Sequence, residues 1–176
     1  YLAAVAFVVC KVALFSLFLA IAPEVRWSAN RAAAIALLAY TLLIPAMQRT
    51  PIDGDEPFYL LVTESIVRDL DLDLANQYRE LSESATGRLD LQPQPGDPVG
   101  SEGERYSRHE PLLSILMVPG YLAAGLPGAI ATIVVFAVLL VRSTVRFFEE
   151  EGVDDETARA IFPFFAFGPP VVFYAA

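Results

Sequence analysis

Residues 1–22 contain a single charged side chain, Lys11. A run of about 20 apolar residues is long enough to cross the hydrocarbon layer of a bilayer as a helix. Further apolar runs follow at 32–47, 111–125, 128–148 and 158–176. Between Arg49 and Glu110 lie fourteen acids and six arginines, twenty of the chain's 33 charged residues. In hydrocarbon every backbone polar group needs an internal partner, and a helix supplies it. The pattern predicts an all-α membrane protein with several transmembrane helices and one polar outer segment.

Composition narrows the function. The chain is 55% hydrophobic and 19% charged, more apolar than an ordinary soluble domain. A net charge of −9 argues against nucleic acid as a partner, because phosphate binding needs clustered Lys and Arg. Cys10 is the only cysteine, which excludes a disulfide scaffold, and His109 is the only histidine, which excludes a site of several His ligands. No Walker loop, G-x-G-x-x-G, C-x-x-C or H-E-x-x-H motif is present. The chain starts and stops inside apolar runs, as expected of a piece of a longer protein.

The expected organisation has three parts: two N-terminal membrane helices within 1–47, an extracytoplasmic segment over 48–127, and two further membrane helices over 128–176. Lys11 in the first run is read as a side chain that snorkels or packs on protein, with a functional lysine as the alternative. The run at 111–125 is short and broken by Pro119-Gly120, so it is read as juxtamembrane or re-entrant. Placing 23–31 and 149–157 inside puts Arg26, Arg31, Arg142, Arg146 and Arg159 there. Arg49, Arg105 and Arg108 fall outside, in keeping with the positive-inside rule. The acidic run 149–156 reads as a solvated turn.

The outer segment holds the candidate chemistry. Asp53, Asp55 and Glu56 precede Pro57, a residue suited to the first turn of a helix. Phe58, Leu61, Val62, Ser65, Ile66 and Asp69 then share one face, which predicts an amphipathic helix lying on the outer membrane surface. The carboxylates have two readings. Asp53-x-x-Glu56 resembles a capping box; alternatively, a carboxylate at the membrane boundary serves as general base. Asp71-Leu-Asp-Leu-Ala-Asn76 lacks the Gly and distal Glu of a calcium loop and reads as a solvated turn. Residues 84–104 read as a Pro/Gly-rich loop. His109 beside Arg108 is either a phosphate contact or an ordinary interfacial histidine.

The ordered set D-G-D-E-P (53–57), F-Y-L-L (58–61), D-L-D-L-A-N (71–76) and Y-S-R-H-E-P-L-L (106–113) resembles the N-terminal portion of a bacterial integral-membrane glycosyltransferase. The superfamily is the glycosyltransferase C class, which includes protein O-mannosyltransferases and aminoarabinose transferases. The resemblance covers roughly 32–176. The sequence departs from it at Phe58, where relatives often carry His, and in the additional run at 1–22. It implies transfer of a sugar from a polyprenyl-phosphate donor to an acceptor at the outer face of the bacterial inner membrane. Asp55 would be the base, with Glu56 as support, and Arg105, Arg108 and His109 would neutralise the lipid phosphate. The implied partners are the lipid-linked sugar donor and membrane lipids, with membrane-protein partners left open. No cofactor is legible, and a divalent metal is left open. A 176-residue piece is expected to be inactive by itself. The alternatives are a non-catalytic integral-membrane subunit of a larger complex and, less in keeping with its spans, a transporter.

Overall fold

A computed structural model describes residues 27–47, 54–80 and 91–167. The expected span at 1–22, Asp53, and the last part of the 158–176 run lie outside the described residues. The helices are α1 (Ala29–Met47), α2 (Glu56–Arg68), α3 (Ala75–Glu80), α4 (Leu112–Ala124), α5 (Leu126–Glu150) and α6 (Asp155–Phe167). Among the described residues there is no strand, only an isolated antiparallel bridge between Val99 and Arg105. The fold is all-α.

The chain forms two compact units. One takes its described residues from 27–47 and 133–167, the other from 54–80 and 91–132. In the first, α1, α5 and α6 share a core at helical spacing: Ala29, Ala32, Ala36 and Tyr40 from α1, Val134, Ala137, Val141 and Val145 from α5, and Ala158, Phe162 and Ala166 from α6. Small residues on α1 and α6 leave room for the large rings. Phe162 meets Trp27 edge-on at 4.8 Å, an arrangement favoured by the ring quadrupoles. Tyr40 Oη donates to the Ala166 carbonyl at 2.6 Å, near the end of α6, where carbonyls lack intrahelical partners.

The acidic turn expected at 149–156 is exposed at every position but Val153, and the flanking helices narrow its non-helical part to 151–154. Gly152 has φ 71°, and the Val153 N–H donates to Phe148 O at 3.0 Å while the Gly152 N–H donates to Glu149 O at 3.3 Å. This is a Schellman ending, which needs a residue with positive φ. Asp154 then accepts from the Thr157 N–H at 2.9 Å and the Thr157 hydroxyl at 2.7 Å, and these bonds hold its carboxyl below the usual range. Glu149 Oε1 accepts the Ala29 N–H at 3.0 Å, so an acid of the turn caps α1.

In the second unit α2 packs on α4. Thr63 Oγ1 donates to Tyr59 O at 2.8 Å, and Ser114 Oγ donates to the same carbonyl at 2.9 Å. The opposite side of α2 carries Phe58, Leu61 and Val62, which pack with Leu74 and Leu91. The stripe expected to lie on a membrane is therefore covered by the following chain. Glu64 is buried, ion-paired with Arg68 and hydrogen-bonded by the Tyr121 hydroxyl.

α4 and α5 meet at a corner where Gly125 has φ 61°. A Cβ on Gly128 would overlap the Gly120 carbonyl, and one on Gly120 would overlap the Gly128 carbonyl. The 13 residues of α4 span about 20 Å, against about 30 Å of hydrocarbon. Among the described residues, α5 is the one helix long and apolar enough to cross a membrane, at 25 residues or about 37 Å. Several membrane spans were expected; the described structure supplies one candidate by length and composition.

Candidate functional site

The D-G-D-E-P segment starts α2 later than a capping box would. The cap position is Asp55, with Glu56 and Pro57 opening the helix. A box anchored at Asp53 would instead put Glu56 in the third helical position. Asp55 has φ −91° and ψ −12° and makes no side-chain cap bond. Its carboxylate is left for other partners. Glu56 is exposed in the first turn, where an acid favours the positive end of the helix dipole.

Those partners come from residues far along the chain. Gln94 Nε2 donates to Asp55 Oδ1 at 3.4 Å, and His109 Nε2 lies 3.5 Å from the same oxygen. Gln94 Oε1 is 3.0 Å from His109 Nε2. The imidazole is 13% exposed and the Asp55 side chain 63% exposed, so the group has one wall of protein and one open side. His109 lies beside the rings of Phe58 and Tyr59, with centroids at 5.8 Å and 5.1 Å. Phe58, the departure from the family pattern, thus forms part of the seat for the only histidine.

Gln94 is placed by a tight turn. In Gln94-Pro95-Gly96-Asp97 the Asp97 N–H donates to Gln94 O at 3.0 Å, and Gly96 has φ 90°. Proline second and a positive-φ glycine third is the pattern of a type II turn. Asp97 Oδ2 accepts the Gln94 N–H at 2.7 Å. The Asp97 side chain is 2% exposed and pairs with Arg108 Nε at 3.4 Å. Arg108 also donates to the Pro95 carbonyl. Burial first, then the neighbouring Asp97 carboxylate, pushes the Tyr78 phenol well above its ordinary value.

Arg105 is held by its backbone. Its N–H donates to Asp73 Oδ1 at 2.8 Å, and its carbonyl accepts the Leu74 N–H at 2.7 Å. Asp73 Oδ1 also accepts the Ala75 N–H at 3.0 Å, and Asp71 Oδ1 accepts the Ser65 hydroxyl at 2.7 Å. The Asp71–Asn76 turn is therefore a junction joining α2, α3 and the loop before α4. The side chain of Arg105 is exposed, and among the described residues its guanidinium has no ion pair.

The structure thus brings Asp55 and His109 together. Neither Arg105 nor Arg108 hydrogen-bonds or ion-pairs with them among the described residues, and Arg108 is partly neutralised by Asp97. Gln94 and Asp97 escape the sequence reading; the Pro-Gly pair signals their turn but not its target. No three His, Cys, Asp or Glu side chains converge as a metal site among the described residues. No protein family, curated protein or solved structure matches the chain.

Proposed function

We propose that the chain belongs to a membrane glycosyltransferase that moves a sugar from a polyprenyl-phosphate donor to an acceptor at the outer face of the bilayer. The observation that carries this reading is the state of the Asp55 carboxylate. It sits at a helix start without capping it and faces an imidazole and an amide instead. A positioned carboxylate with an open side can accept a proton from an acceptor hydroxyl. Glu56, one residue on, supports the same negative field. Arg105, an exposed residue, is the first group we assign to the phosphate, with Arg108 behind it. His109 belongs by geometry to Asp55. A cation at the leaving phosphate stabilises the charge that develops there.

The apolar surface agrees with a lipid setting. Leu38 and Leu42 on α1, Val135, Phe136, Leu139 and Leu140 on α5, and Phe164 on α6 are all exposed. Apolar side chains exposed in such numbers mark a face covered by lipid or protein. A non-catalytic subunit would use that surface equally well, so activity has to separate the two.

Asp55→Asn is the discriminating change. Transfer from a polyprenyl-phosphate sugar by the full-length protein should fall about 10²–10⁴-fold, with thermal stability unchanged because no cap bond is lost. Wild-type transfer by the variant would remove Asp55 as the base. No transfer by the wild-type full-length protein with any such donor would favour the subunit.

A further inference from the structure

The contact among Asp55, Gln94 and His109 decides which imidazole nitrogen carries the proton. An ionised carboxylate only accepts hydrogen bonds, so the Gln94 amide nitrogen faces Asp55, at 3.4 Å. The amide oxygen must then face the ring, where it lies 3.0 Å from His109 Nε2. That ring nitrogen meets two acceptors, Gln94 Oε1 and, at 3.5 Å, Asp55 Oδ1. It is therefore the N–H. Nδ1 has no hydrogen-bond partner among the described residues, and in the neutral ring it carries the lone pair. Gln94 is itself restrained, because its backbone N–H is bound to Asp97 at 2.7 Å.

We infer that Gln94 is a positioning residue: bridging Asp55 and His109, it fixes neutral His109 as the Nε2–H form and presents Nδ1 as a hydrogen-bond acceptor to a hydroxyl-bearing ligand. This hydroxyl is a different one from the hydroxyl whose proton Asp55 takes, because one O–H donates a single hydrogen bond; its place on the acceptor alcohol rests on the glycosyltransferase reading, and the tautomer does not. A lone pair accepts a hydrogen bond from an alcohol, whereas an ionised phosphate diester offers no proton. Neutral His109 thus serves the hydroxyl side of the reaction, and the phosphate is left to the arginines.

The single histidine gives one imidazole signature in a chain labelled with 15N-histidine. Spectra are taken in amine-oxide micelles at a pH where the ring is neutral. The ratio of Nδ1–H to Nε2–H should be about tenfold lower than in the same chain unfolded in urea, the ratio one hydrogen bond sustains. Gln94→Met should move the ratio most of the way back toward its unfolded value, the remaining bias being that of the longer Asp55 contact at 3.5 Å, while Gln94→Glu, which keeps an acceptor oxygen, should hold Nε2–H. Helical circular dichroism shows that each variant is folded; if Gln94→Met fails to fold, Gln94→Ala takes its place. An Nδ1–H ring in the wild type, or a ratio unmoved by loss of the amide, overturns the positioning role. Octyl β-glucoside should perturb the Nδ1 signal and dioctyl phosphate, an ionised diester without an O–H, should leave it in place. If the tautomer holds but the glucoside has no effect, the ligand assignment falls and the positioning role of Gln94 stands.

Discussion

Leu70 has φ 60° and is 87% exposed. It follows the last turn of α2, and its N–H donates to Ser65 O at 3.1 Å, a place where Gly or Asn usually ends a helix. A left-handed conformation costs a residue with a Cβ about 1–2 kcal/mol. Leu70→Asn should therefore stabilise the second unit by about 0.5–1 kcal/mol, read by urea unfolding in micelles. A loss of stability would show that the exposed leucine is held by lipid or a partner. Tyr78 gives a second residue-scale test, at high pH. Burial first, and then the Asp97 carboxylate, raise its phenol above the ordinary value of 10.0. Above that pH the unfolded phenol ionises while the folded one does not. The contribution is complete below about pH 10 and fades as pH rises beyond it. Tyr78→Phe should flatten the alkaline loss of stability; an identical alkaline slope in wild type and variant would contradict this.

At the scale of elements, α1, α2, α4 and α5 lie within three residues of the limits that hydrophobic runs suggest. Their faces were less legible. Spacing alone assigns α2 one apolar side, yet Leu60, Thr63 and Glu64 are buried too, because α4 packs on another side. The short α3 and the turn at 94–97 have no hydrophobic period to announce them. The α4–α5 corner is a testable joint. Gly128→Ala would drive a Cβ into the Gly120 carbonyl, a rigid backbone atom that cannot step aside. We expect a loss of about 1–3 kcal/mol, measured by thermal unfolding in micelles. Gly96→Ala, with open space around its Cβ, should cost only its positive-φ strain, about 1–2 kcal/mol. An unchanged melting temperature for Gly128→Ala would mean that the helices separate at little cost.

For the whole molecule, orientation is the open prediction. Ser101 is exposed in the loop before α4, in the segment that the arginine distribution places outside. In a Cys10→Ser background, Ser101→Cys should react with a membrane-impermeant maleimide in intact cells. Reaction only after lysis would invert the topology. It would also put Asp55 on the side opposite an outward-facing donor.

Some of this protein follows from the order of its residues. The apolar runs at 32–47 and 128–148 dictate helices, because a helix satisfies its backbone from within four residues and needs no distant partner. Pro57 and the acids before it mark a helix start by the same local chemistry. The candidate site is different in kind. Asp55, Gln94 and His109 are separated by 39 and 15 positions, and no periodicity links them. Whether Asp55 caps or is free depends on where α2 begins and on what the later loop brings to it. Whether Arg108 can meet a phosphate depends on Asp97, buried by the turn that also places Gln94. Those outcomes are set by contacts between distant segments, whose hydrogen bonds form only when the chain has folded back on itself.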